Sequence, residues 1–267
     1  MSVQDGRSPR PDSVSGQSGW LGTYAIEREL GRGGMGVVYL ATQAGLDRKV
    51  ALKVLTGELS GNPEFVERFH REAVVLASLD SPHIITIHDH GEANGILYLA
   101  TQYVSGGDLG AHIKAHGPMP SAQALTVFAQ ILVGLRDAHS RGVIHRDIKP
   151  GNVLLRDDRD EPYAYLADFG IAQSEAAVGQ TRTGVVAGSV PYLAPERLVG
   201  EPASVQSDLY AAGCVLWMML TGSTPYAGTE FQQAQGHSSG PIPQLLGGDH
   251  TTAALNRLLA WTLAKNP

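Results

Sequence analysis

Residues 145–152 read His-Arg-Asp-Ile-Lys-Pro-Gly-Asn, and residues 168–170 read Asp-Phe-Gly. Two acids, an amide and a lysine thus fall in short loops flanked by apolar, strand-like runs. These residue types can handle a nucleotide phosphate. Carboxylate and amide oxygens suit Mg²⁺, an aspartate can take or orient the proton of an incoming hydroxyl, and a lysine can neutralise a phosphoryl group in transfer. Asp147 is the candidate base and Lys149 the candidate cation. Asn152 offers a neutral oxygen to a metal ion, and Asp168 a charged one. Any single aspartate could be an ordinary turn residue. The four at these spacings are not explained that way.

Upstream, Gly31, Arg32, Gly33, Gly34, Met35 and Gly36 match G-x-G-x-x-G. Alone the loop is a weak signal, because dinucleotide-binding folds share the spacing and a plain Gly-rich hairpin turn also fits. A dinucleotide loop, however, opens into a helix and wants an acid about 20 residues on. Here a strand-like run follows, and it brings a lysine, Lys53. The loop therefore reads as a hairpin whose small residues let backbone N–H groups approach phosphates. Lys53 could simply reach solvent along its apolar neighbours. Glu72 argues otherwise, since it falls in the apolar helical stripe of Phe65, Phe69, Leu76 and Leu79, where a carboxylate needs a cation. Lys53 is the expected partner, and Arg68, one turn back on the same helix, the alternative.

The elements that must position these groups follow from pattern. Residues 1–19 are Ser-, Gly- and Pro-rich without periodicity, and a disordered tail is expected there. From residue 20, alternating runs separated by glycine turns imply antiparallel strands, with two further strands at 84–87 and 96–101. One helix is expected over 64–79, and helices at 121–140, 204–221 and 252–264. The layout is α+β, with a small antiparallel-sheet lobe carrying one helix over 20–104, a larger mainly helical lobe over 105–267 and a hinge near 102–105. The chain has 267 residues, 43% apolar and 17% charged, with net charge −6. That balance fits a soluble protein and argues against a dedicated nucleic-acid binder. Cys214 stands alone, so no intrachain disulfide can form and a reducing compartment suits the chain. The longest apolar run, 209–220, is too short for a bilayer and reads as a buried helix. His83, His88 and His90 lack an acid or cysteine cluster that would complete a metal site.

In order along the chain stand the glycine loop, Val50-Ala-Leu-Lys53, the 145–152 loop, Asp168-Phe-Gly170 and Ala194-Pro-Glu196. From residue 22 to 267 the chain resembles the eukaryotic-like (Hanks-type) serine/threonine protein kinases of bacteria. The Lys149-Pro150 pair resembles the serine/threonine rather than the tyrosine branch. The resemblance implies transfer of the ATP γ-phosphoryl group to protein Ser/Thr hydroxyls, with Mg²⁺, or Mn²⁺ as an alternative. It implies protein substrates, including a second copy of the chain in trans, and a cytoplasmic kinase domain. Thr101 would lie behind the adenine, with Gln102 to Val104 offering backbone hydrogen bonds. Val38, Ala51 and Leu154 would sandwich the base, although each could equally be core, and Asp108 would meet the ribose. Residues 168–196 resemble an activation segment. Thr181 and Thr183 are its expected phosphosites, and Arg146 is the expected phosphate partner. Ser189 replaces the more usual threonine and can still bridge Asp147 and Lys149. Asp208 is either a helix N-cap or, as the resemblance implies, a support for the catalytic-loop backbone. Related kinases continue into one more helix, whose arginine pairs with the glutamate matched by Glu196. The expectation is therefore a C-terminally truncated domain, less stable than a version with that helix restored. The rivals are a pseudokinase scaffold that binds ATP without turnover and a small-molecule kinase.

Overall fold

The computed structural model describes residues 19–157, 161–170 and 190–266. The expected disordered tail lies outside these residues except for Gly19, whose carbonyl accepts from the Ile26 amide at 2.9 Å. Thr181, Thr183 and Ser189 also lie outside them. The chain divides into two units, residues 1–77 with 86–103, and residues 78–85 with 104–267.

The first unit is a six-stranded antiparallel sheet in the order β1-β2-β3-β4-β6-β5. Its strands are β1 (Trp20–Leu21), β2 (Tyr24–Gly33), β3 (Gly36–Gln43), β4 (Arg48–Leu55), β5 (Ile87–Ala93) and β6 (Ile96–Gln102). Alternation sets its two faces. Val50 and Leu52 turn to a core with Leu21, Tyr24, Ala41 and Ala100, and the residues between them turn the other way. Two helices, α1 (Gly57–Ser60) and α2 (Pro63–Ala77), follow β4. The side-chain oxygen of Asn62 starts α2 by accepting from the amides of Glu64 at 3.0 Å and Phe65 at 3.2 Å. Proline at the first helical position costs nothing there. Phe65, Phe69, Ala73 and Leu76 form its buried stripe, while Leu79 falls beyond the helix end.

One expected strand moves. Residues 84–85 do not join the sheet; Ile85 donates its amide to Leu166 O at 2.8 Å, and His83 O accepts from the Leu166 amide at 2.8 Å. The strand starts instead at Ile87 and runs through the polar His88-Asp-His-Gly-Glu. That run is tolerated because Asp89 Oδ2 accepts from Tyr24 at 2.7 Å and Tyr98 at 3.1 Å, which satisfies the carboxylate inside the unit.

The second unit holds α3 (Leu109–His116), α4 (Ser121–His139), the strand pair β7 (Val153–Leu155) and β8 (Ala164–Leu166), α5 (Pro195–Leu198), α6 (Val205–Thr221), α7 (Glu230–Ser239) and α8 (His250–Thr262). Helix α6 is apolar nearly all round and lies at the centre, with α4 and α8 packed on it. A small antiparallel-sheet unit and a mainly helical unit make the fold α+β, as the sequence implies.

Candidate active site

In the first unit the strand register gathers the nucleotide candidates. Val38 pairs with Lys53, Leu40 with Ala51, and Ala51 with Thr101. Directly opposed residues share a face, so Val38, Ala51, Lys53 and Thr101 all lie on the face away from the Tyr24 core. Thr101 Oγ1 donates to Ala51 O at 3.3 Å, which ties β4 to β6 at this point. The amide of Gln102 is spent on Thr86 O at 2.8 Å. Glu72 is half-buried on α2, beside the stripe of Phe69, Ala73 and Leu76.

The glycines of the β2–β3 hairpin divide into two kinds. A methyl group on Gly31, Gly33 or Gly34 would meet nothing within 4 Å. Gly36 has φ +154°, and a Cβ there would stand 2.0 Å from Val54 O. Gly36 is therefore needed for the approach of β3 to β4, whereas the other three leave open space that packing does not demand. Arg32 forms a two-pronged pair with Glu29, at 2.9 and 3.3 Å. The carbonyl of Met35 accepts from the Thr56 amide at 3.1 Å.

In the second unit Lys149 Nζ donates to Asp147 Oδ2 at 2.7 Å. Asn152 Nδ2 donates to Asp147 O at 2.7 Å and to Asp147 Oδ2 at 3.1 Å. The residue triad is thus one hydrogen-bonded group, folded by the 3₁₀ turn Pro150–Asn152. Asn152 O accepts from the Ala167 amide at 2.9 Å, which sets Asp168 next to the loop. Two residues here adopt positive φ without being glycine, Arg146 at 71° and Asp168 at 60°. Such angles are strained for L-residues and persist only where surroundings hold them.

Asp208 supplies much of that hold. It is not the cap of α6, since Ser204 takes that place with a capping box to Ser207. Instead Asp208, almost fully buried, accepts from the His145 amide at 2.8 Å and the Arg146 amide at 3.0 Å. A third partner, His139 Nε2, lies 2.8 Å from Asp208 Oδ2. His145 is fully buried between the two loops, with Nε2 3.1 Å from Ala167 O and its ring 4.3 Å from that of Phe169. The Asp147 amide points at His145 Nδ1 at 3.4 Å, so a proton on Nε2 satisfies both ring nitrogens. Burial lowers the His145 pKa and keeps the ring neutral. Sequence reading passed over both histidines. His139 closes an apolar helix, and no motif ties it to a residue so distant in sequence.

The remaining candidates take modest positions. Asp108 Oδ1 caps α3 by accepting from the Ala111 amide at 2.9 Å, which leaves its other oxygen. Val104 and Leu154 belong to a cluster with Ile85 and Tyr165. Glu196 lies in the first turn of α5, and its Oε1 is buried with no hydrogen-bond partner among the described residues.

The family model for the protein kinase domain matches residues 24–266. The chain therefore belongs to the protein kinase domain family. Serine/threonine-protein kinase PknD of Mycobacterium tuberculosis is 39% identical over 259 residues, covering 96% of this chain and 39% of PknD. PknH of the same species is 42% identical over 226 residues, covering 84% of this chain and 36% of PknH. A crystal structure of the M. tuberculosis PknI kinase domain aligns with TM-score 0.71 and 31% identity, over 94% of this chain and 90% of that one. The chain is a kinase domain of the bacterial serine/threonine type, and spans about two-fifths of the length of the curated relatives it matches (39% of PknD).

Proposed function

We propose that this domain transfers the γ-phosphoryl group of ATP to serine and threonine hydroxyls of proteins, a second copy of itself included. The observation that carries the proposal is the Asp147 carboxylate, held by Lys149 at 2.7 Å and Asn152 at 3.1 Å within one loop. In the reaction the hydroxyl oxygen bonds to the γ-phosphorus as the bond to the β,γ-bridging oxygen breaks. ADP leaves with that electron pair, and Asp147 receives the hydroxyl proton. Lys149 lies close enough to Asp147 to neutralise the phosphoryl oxygens when the hydroxyl is in place. In the first unit the open glycines admit phosphate oxygens to backbone N–H groups, and Lys53, steadied by Glu72, holds the α/β-phosphates. For the adenine the candidates are Val38, Ala51, Thr101 and the Gln102 backbone in the first unit; in the second they are Leu154 and the Val104 backbone, with the remaining oxygen of Asp108 the candidate for the ribose.

The metal donors are Asp168 and Asn152. Both hydrogen-bonding directions of the Asn152 amide nitrogen point at Asp147, so oxygen is the group left to offer. No group of three or more acids, histidines or cysteines fit for a metal exists among the described residues. A hard ion held by one or two protein oxygens and completed by phosphates suits that donor set, and Mg²⁺ binds this way, with Mn²⁺ as an alternative. Bound there, the ion would neutralise charge on the phosphates. Phosphorylation of Thr181 or Thr183, read by Arg146, is the proposed regulation. Among the described residues no helix is long and apolar enough to cross a membrane, and the domain is proposed to work where ATP is abundant, in the cytoplasm.

Incubation with γ-labelled ATP, Mg²⁺ and an unstructured Ser/Thr-rich acceptor protein tests the reading. Acid-stable label on serine and threonine is expected. ATP binding without any transfer would favour a scaffold, and label on a small metabolite alone would overturn the assignment to protein substrates.

A further inference from the structure

Helix α3 (Leu109–His116) carries two histidines that phosphoryl transfer does not use, His112 and His116. Residues four apart share a helix face. The two imidazoles are neighbours there, with ring centroids 4.5 Å apart and planes inclined by 33°. His116 Nδ1 lies 3.0 Å from His112 O, and only a protonated nitrogen can bond a carbonyl. The proton is thereby fixed on Nδ1, and Nε2 keeps its lone pair, the tautomer that a backbone carbonyl imposes on metal-bound histidines. His112 is half-buried beside His116. His116 is exposed, so an ion can reach the pair from solvent.

The donors select among ions. Imidazole nitrogens without a carboxylate or thiolate suit the borderline first-row ions, and in that series a given nitrogen site binds Cu²⁺ most tightly, with Ni²⁺ next among the ions before it.

We propose that His112 and His116 form a two-nitrogen surface site for Cu²⁺ or Ni²⁺, with water completing the coordination shell. No third acid, histidine or cysteine joins them among the described residues. Its donors differ in kind from those proposed for Mg²⁺, because two nitrogens and no carboxylate give a hard ion little to bind. An ion across residues four apart ties together the two turns of this short helix. Metal binding and helix stability are therefore linked.

The test titrates the untagged full chain, and its His112→Gln and His116→Gln variants, with Cu²⁺ and then Ni²⁺ by calorimetry in a non-coordinating buffer. The wild-type chain should show a one-to-one step that weakens at least about tenfold in each variant, since each loses half of a chelate. Its melting temperature should rise on saturation, and those of the variants should not. Matching metal-free circular dichroism spectra would establish that the variants fold. A step of equal affinity in the variants, as binding near the His70 and His90 rings (5.4 Å apart) would give, overturns the proposal. The lack of any one-to-one step in the wild type does so as well.

Discussion

The carboxylate of Asp208 accepts two backbone amides and faces one imidazole, all at 3.0 Å or less. Removing it leaves the buried amides of His145 and Arg146 without an acceptor, and each such group costs about 1–3 kcal/mol. Asp208→Ala is expected to lower unfolding stability by about 3 kcal/mol in urea titration, with lost turnover as Arg146 relaxes from its positive φ. His139→Phe should lose less stability, because it takes only one of the three partners. For the proposed Lys53–Glu72 pair, Lys53→Met and Glu72→Gln should each lower kcat/KM by about 100-fold or more, and the double variant by little beyond either. Additive losses would mean that the two residues act separately. At this scale the motifs were legible, and a support role for Asp208 was expected from the resemblance alone, but its histidine partner was not legible. Asp147, Lys149 and Asn152 lie within one loop, where spacing in sequence is nearly spacing in space. His139 and His145 meet Asp208 across long stretches of chain, which a single sequence does not reveal.

Within the hairpin of β2 and β3, the glycines make opposite predictions. Gly36→Ala should destabilise the first unit, because its Cβ would lie 2.0 Å from Val54 O, and melting temperature reads that loss. Gly34→Ala meets nothing within 4 Å, so its melting temperature should hold while KM for ATP rises. A drop in stability for Gly34→Ala with unchanged KM would remove the phosphate role. The longer helices were legible from their apolar stripes, as at α2 and α6. The shorter, more polar ones were missed because caps define them. Asp108 caps α3, and Thr229 and Gln232 form a reciprocal capping box that starts α7. Strand β5 was misplaced because its polar residues spoil the alternation, and the Tyr24 and Tyr98 hydroxyls explain why Asp89 sits there.

For the molecule as a whole, acid should act through buried histidines. His237 is fully buried, with Nδ1 2.9 Å from the Tyr210 hydroxyl. Burial, then the nearby Lys265 ammonium, pushes its pKa from 6.5 down to about 4. Between those values the unfolded chain binds a proton that the folded chain refuses, so stability is lost as pH falls from about 6.5 toward about 4. Below that window this group adds no further loss. His145 acts in the same direction. Urea midpoints should fall between pH 7 and pH 4.5, and less steeply in His237→Gln; an equal slope would acquit His237. The central claim is phosphoryl transfer by the Asp147 loop, and intact mass before and after Mg-ATP tests it most directly, with Asp147→Asn alongside. The account predicts mass gains of whole phosphates on Ser/Thr in the wild type, and none in the variant, which should still bind ATP. Equal phosphate incorporation in the two proteins, or none in a folded, ATP-binding wild type offered Ser/Thr acceptors, would contradict it.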